Sequence, residues 1–220
     1  MRITTQMLNE SARKAGQPIN RTSLLNYINT GSSQNPLINA LNKKNNSVDT
    51  KKQENYEKLE KNADTLYKQT DIFTIEGEAS IFAKAKAGGS NQEIYDNMEA
   101  LVKSYNNTMK ALSDASTTLS DFYRDMLKEA AGDNTEALNS IGITQSKDGT
   151  LSIDSEKLKT VDVDTLEKVF GASGDFVKKA AFLAERISDN AKTNADNLTK
   201  RYDSSGNIYA GSNNRYNFWG

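Results

Sequence analysis

Ile94, Met98, Leu101, Tyr105, Thr108, Leu112, Ala115, Leu119, Phe122 and Met126 follow one another at alternating steps of four and three residues without a break. That spacing holds every member on one face of an α-helix, and an apolar stripe of this length has to be buried against other helices. Ser90 and Glu93 stand ahead of the stripe in capping-box spacing, and Gly132 lies beyond it as a terminator. One uninterrupted helix over residues 91–131 is the expectation, about 60 Å long, which exceeds the diameter of a compact domain of this size and implies an elongated molecule. Thr108 and Ala115 are small, so a neighbouring backbone can approach mid-stripe, whereas Phe122 and Met126 need a wider pocket.

Two further stripes supply the partners. Tyr56, Leu59, Ala63, Leu66 and Thr70 predict a helix over 50–70. Phe176, Ala180, Leu183, Ile187, Asn190 or Ala191, Asn194 and Leu198 predict a last helix over 175–202, with a stripe that turns polar toward its end. This helix is expected to run antiparallel to 91–131, because the short segment between them returns the chain. Residues 71–87 fit either a short strand turning at Gly77 or a loose helical continuation, and Gly88-Gly89 breaks the chain.

Between the long helices, 133–174 reads as a separate small unit. It comprises a helical turn over 137–140, strands at 141–144 and 151–153 around Asp148-Gly149, and short helices capped by Asp154 and by Asp162 or Asp164. Gly171 and Gly174 close it. The predicted fold class is mainly α, an elongated antiparallel long-helix bundle with a small inserted β-hairpin unit. Its segments are an arm at 1–50, long helices at 51–132, the hairpin unit at 133–174, a long helix at 175–202 and an aromatic tail at 203–220.

The arm carries Gly16, Pro18, Gly31, Pro36 and polar runs at 31–35 and 42–47, a composition expected to stay mostly disordered when alone. Helical turns at 5–14 and 22–29 are expected to form on contact with a partner. The start lacks the apolar core of a secretory signal peptide, and no apolar run approaches the ~20 residues of a membrane span. The tail is rich in Gly, Asn and Ser and reads as a loop or flexible end.

Composition narrows the chemistry. The 220 residues contain no cysteine and no histidine, which removes disulfides, thiolate nucleophiles, most zinc sites and the usual proton shuttle near neutral pH. Lys plus Arg number 28 against 29 Asp plus Glu, so no clustered positive field favours nucleic acid. Asp162, Asp164 and Glu167 supply oxygen ligands for a hard cation, but they lack EF-hand spacing and are explained more simply as helix caps. Asp148 and Asp154 flank the hairpin, where turn and cap chemistry accounts for them. Gly88-Gly89-Ser90 precedes a helix as a phosphate cradle would, yet no lysine follows in the required spacing, and a hinge plus cap is the plainer reading. No cofactor or metal is expected.

Two sets of residues remain as candidates for interaction. The first is the helix-packing set Ile94, Met98, Leu101, Tyr105, Leu112, Leu119, Phe122, Met126, Phe176, Leu183 and Ile187, which reads either as the seam of an intramolecular bundle or, in part, as a surface for other subunits. The second is Tyr216, Phe218 and Trp219 in the tail, near Tyr202, Tyr209, Arg201 and Arg215. These rings can stack on a sugar or base, anchor in a partner's groove, or fold back over the bundle.

Leu101-Val102-Lys103-Ser104-Tyr105-Asn106-Asn107 resembles the helix motif of flagellar filament-capping hook-associated proteins. Leu138-Asn139-Ser140-Ile141-Gly142-Ile143-Thr144, followed by Lys147-Asp148-Gly149-Thr150-Leu151-Ser152-Ile153-Asp154 and Lys157-Leu158, looks like their hairpin, and Val169-Phe170-Gly171 falls where a helix ends in that family. These matches occur in order over about 91–175. Met1-Arg2-Ile3-Thr4-Thr5-Gln6-Met7 is similar to the opening of flagellins and hook–filament junction proteins. Cap proteins also carry β-rich domains for which this sequence has no room.

The resemblance implies an exported, extracellular protein of the bacterial flagellum, secreted through the type III apparatus and acting by coiled-coil-like packing. The partners it implies are flagellin or other axial proteins, further copies of the chain and a cytoplasmic export chaperone, with no nucleic acid. The competing expectation is a secreted helical adhesin or binding module that uses the aromatic tail. A carboxylate enzyme is the least supported, since no paired-acid cleft can be named.

Overall fold

The computed structural model describes residue 14 and residues 36–199, with side chains described for Lys14 and for 50–198. The expectations for the remainder of the arm and for residues 200–220 lie outside these. The chain divides into two units, Met1–Thr50 and Lys51–Gly220. Beyond a helical Lys14, the described part of the first unit is the opening of helix α1, which spans Pro36–Thr74. It begins within the segment read as an arm. Proline is well placed there, because the first turn of a helix has no use for its missing N–H.

In the second unit, α1 is followed by a single 3-10 turn, Gly77–Ala79, and then by α2 (Ile81–Lys86), α3 (Gln92–Ala115), α4 (Thr118–Gly132) and α5 (Thr135–Ser140). After these come β1 (Ile143–Gln145), β2 (Leu151–Ile153), α6 (Ser155–Thr160), α7 (Val163–Phe170) and α8 (Asp175–Thr199). The described residues are thus mainly helical, with one two-stranded antiparallel hairpin in the register Ile143↔Ile153. Residues 71–87 adopt the helical alternative. The chain turns at Gly77, whose φ of +72° is cheap for glycine, and α2 starts where Ser80 Oγ accepts from Phe82 N–H at 3.2 Å.

The expected single helix over 91–131 is in fact two. Ser116 sits in the left-handed region (φ 48°, ψ 46°), and Thr117 opens α4 with a capping box of its own. Thr117 Oγ1 accepts from Ser120 N–H at 3.1 Å, while Ser120 Oγ accepts from Thr117 N–H at 2.8 Å. Heptad spacing cannot see such a break, since hydroxyl side chains that compete for backbone groups interrupt a helix without disturbing the apolar count. The proposed Ser90–Glu93 box is not formed: Asn91 is the N-cap of α3, and Ser90 Oγ only accepts from Gln92 N–H at 3.1 Å.

The break lets α4 fold back along α3. Tyr105 Oη, from the middle of α3, donates to Leu127 C=O of α4 at 3.0 Å. Where the end of α4 meets the start of α8, Lys179 pairs with Asp133 at 2.9 Å, and Leu183 shares a cleft with Met126, so these two helices are antiparallel. The last helix is therefore antiparallel to the second half of the expected 91–131 helix and parallel to the first half. Ser188 Oγ bonds Asp64 of α1, and Asn55 Nδ2 donates to Asp114 C=O at the end of α3 at 2.9 Å. The 51–74 part of α1 thereby closes a four-helix arrangement with α3, α4 and α8.

A run of rings threads this core. Phe82 meets Phe73 at 6.1 Å between centroids, Phe73 meets Phe170 at 5.4 Å, Phe170 meets Phe176 at 5.9 Å, and Phe176 meets Tyr105 at 6.0 Å. Tilted and edge-on pairs of this kind each add about 0.5–1.5 kcal/mol beyond area burial. They join α2, α1, α7, α8 and α3 into one packed body.

The hairpin is fastened to the bundle by two neighbouring α3 residues. Tyr105 Oη also donates to Gly149 C=O at 3.1 Å. The Asn106 side-chain amide accepts from Leu151 N–H and donates to Leu151 C=O, both at 2.8 Å, as a third strand would. Gly149 holds φ +90°, and a Cβ there would stand 2.8 Å from the Met109 methyl. Asp154 caps α6, and of the two candidate caps for α7 it is Asp162 that serves, accepting from Thr165 N–H at 2.8 Å. Asp164 instead pairs with Lys86 at 2.6 Å.

Candidate interaction surface

Most of the helix-packing set is interior. Ile94, Met98, Leu101, Tyr105 and Leu112 of α3, with Phe176, Leu183 and Ile187 of α8, are all buried. Leu119, Phe122 and Met126 are not: they are 41%, 55% and 36% exposed, and their placement in an intramolecular seam is corrected accordingly. The break at Ser116 is the cause. Once α4 has turned back, Ser120, Leu127, Ala130 and Ala131 face the core, and Phe122, about half a turn around from Leu127 and Ala131 at 100° per residue, faces outward.

The three exposed side chains share one ridge of α4, at spacings i, i+3 and i+7. A residue absent from the sequence-derived set joins them. Phe182 of α8 is 57% exposed and lines, with Met126, Ala130 and Leu183, a cleft of about 210 Å³ between the two helices. The signal for Phe182 lay in its phase: it falls neither on the 176-180-183-187 stripe nor on the adjoining buried positions Val177, Ala184 and Ala191. Phe122 packs against Tyr123 at 5.8 Å between centroids, and the Arg186 guanidinium lies 5.2 Å from the Phe182 ring centre. That cation–π placement leaves the other side of the ring open to a partner.

Charges frame this face. Where α4 ends and α8 begins, Lys179 bridges Asp133 and Asp175, each at 2.9 Å, and Asn134 Nδ2 donates to Asp175 at 3.1 Å. Hydrogen bonds from Lys179 and then Asn134 hold the Asp175 carboxyl below the usual carboxylate range, and the paired carboxylates hold the Lys179 ammonium above its ordinary value. Asp121, Asp125 and Glu129 form an acidic edge along α4 at four-residue spacing, and all three are exposed. Asp121 pairs with Arg124 at 3.3 Å.

Another concave region is an open groove of about 740 Å³ bordered by Ile75, Glu76, Phe82, Lys86, Asp164 and Glu167. Lys86, on its lining, pairs with both Asp164 and Glu167 and is held above its ordinary pKa chiefly by the hydrogen bonds it donates to those carboxylates. Among the described residues no group of acidic side chains is arranged to hold a metal ion, and no described helix is long and apolar enough to cross a membrane. Tyr216, Phe218 and Trp219 lie outside the described residues. None of the family models, curated proteins or solved structures compared with the chain matches it.

Proposed function

We propose that this chain is an exported structural and assembly protein of the bacterial flagellar axis, working by helix packing against neighbouring subunits and not by catalysis. The observation that carries the reading is the α4–α8 face. Leu119, Phe122, Met126 and Phe182 stand exposed together on a bundle whose interior is already filled. Side chains so placed contribute nothing to the core, and contiguous apolar surface with a charged frame is the composition of a protein contact.

The resemblance to cap-forming hook-associated proteins adds the context. The segments that carry it form α3, the hairpin and α5 to α7, and Tyr105 and Asn106 of the resembling helix motif are the residues that fasten the hairpin to α3. In this reading the partners are flagellin or other axial proteins and further copies of the chain, the arm at 1–50 serves export and assembly, and the site of action is outside the cell.

The test uses the double variant Phe122→Asp, Phe182→Asp in the source bacterium. Both positions are exposed, so circular dichroism and melting are expected to be unchanged, while co-sedimentation with flagellar filaments and swimming are lost. A folded variant that still co-sediments and restores motility to a deletion strain would overturn the reading.

A further inference from the structure

We propose that the turn between α3 and α4 is a hinge through which two copies of the chain exchange halves. Ser116 and Thr117 straighten, 92–132 becomes one helix, and residues 118–199 of each copy pack on residues 51–115 of the other. The inference does not rest on the flagellar reading, and the α4–α8 cleft moves as one piece within the exchanged half. Three observations lead to it.

The first is strain. Among the described residues Ser116 is the one non-glycine residue at positive φ, a conformation in which a side chain is costly and from which a straight helix releases it. Only Ser116 and Thr117 separate the end of α3 at Ala115 from the start of α4 at Thr118. Short connections under strain are the ones that favour exchange between copies.

The second is phase. Leu112, Ala115, Leu119 and Phe122 keep steps of three, four and three straight through the turn. With Ser116 and Thr117 helical, the stripe from Ile94 to Met126 lies on one face of a helix about 60 Å long. Because α4 folds back along α3 in the single chain, the straight helices of two copies run antiparallel past each other. Leu119, exposed in the folded-back chain, then lies beside the partner's turn.

The third is complementarity. The contacts that join α1, α2 and α3 to the elements after the turn all cross positions 116–117, as with Phe73 on Phe170, Tyr105 on Phe176 and the Asn106 amide on Leu151. Each can be made equally with the corresponding half of a second copy. The two forms therefore differ in the conformation of the hinge, the new contacts beside it and the entropy of association, and concentration decides between them.

The test sets Ser116→Ala against Ser116→Gly in the full chain, since both lose the Ser116 Oγ bond to Ser113 C=O. Alanine favours the straight helix and glycine the left-handed turn. The two are expected to differ by roughly tenfold per hinge, and so on the order of a hundredfold in dimerisation constant, with alanine the tighter. Mass is read by light scattering after chromatography of chain annealed at high concentration near its melting temperature.

Structure of the dimer is read from spin labels on Lys103→Cys and Lys128→Cys, both exposed positions in a chain free of cysteine, diluted with unlabelled chain before annealing. Within one chain the labelled positions are about 38 Å apart on a straight helix, and far closer when α4 lies against α3. The long distance in the dimer, the short one in the monomer, and the order alanine, parent, glycine in dimer yield are the expected results. Absence of a dimer even in Ser116→Ala, the reverse order, or a dimer holding only the short distance would overturn the proposal. Phe182→Asp is expected to leave the dimer in place; its loss there would assign association to the α4–α8 face instead.

Discussion

At the scale of single residues, Tyr105 does the most. Its ring ends the run of aromatic contacts at Phe176, and its hydroxyl donates to two carbonyls from separate elements, Leu127 in α4 and Gly149 in the hairpin turn. Burial pushes its phenol above the ordinary value, so it stays protonated and able to donate across the whole range in which the protein would be studied. Tyr105→Phe keeps the ring and removes the hydroxyl that Leu127 C=O and Gly149 C=O share in a water-excluded site. We expect a loss of about 1–3 kcal/mol in urea unfolding and faster amide exchange at Thr150 and Leu151. Equal exchange there would show that the hydroxyl does not hold the turn. Asn106 works beside it, and no propensity scale would single out an asparagine whose amide stands in for a strand edge.

At the scale of elements, the decisive feature is the interruption between α3 and α4. Ser116 accepts the cost of a left-handed backbone, with its Oγ donating to Ser113 C=O at 2.9 Å, and Thr117 restarts the helix. Thr117→Ala removes the side-chain half of the capping box and is expected to cost about 1 kcal/mol. Thermal denaturation measures that loss, and a melting temperature equal to that of the parent would mean the hairpin of helices is set by packing alone. The apolar stripe that runs through residues 94–126 is continuous in sequence and discontinuous in space. Its first part, to Leu112, is core; its last part, from Leu119, is surface. The Ser116-Thr117-Thr118 run held the only local hint of this, because hydroxyl residues are as common on a solvated helix face as at a cap.

At the scale of the whole molecule, the same stripe yields opposite outcomes for the same kind of substitution. Leu112 is fully buried, and Leu112→Asp places an unpaired charge in the interior at a cost of several kcal/mol; circular dichroism is expected to report an unfolded chain. Phe122→Asp, ten residues on, is expected to leave the fold intact and to alter association only. If both variants unfold, α4 is packed more tightly than its exposure implies.

Much of the architecture was legible in order and kind. The helical class, the Asp148-Gly149 hairpin, Asp154 as a cap and the apolar stripe of the last helix all follow from rules that act over a few residues: periodicity, φ preference and the satisfaction of free N–H groups. What these rules cannot carry is direction over distance. Whether α3 continues into α4 or doubles back depends on whether Leu127, Ala130 and Ala131 find more partners against α3 and α8 than the stripe residues Leu119, Phe122 and Met126 would find by running straight on. That comparison involves side chains from segments far apart in the chain, and it decided which half of a single uniform pattern became the core and which was left, with Phe182, as a surface.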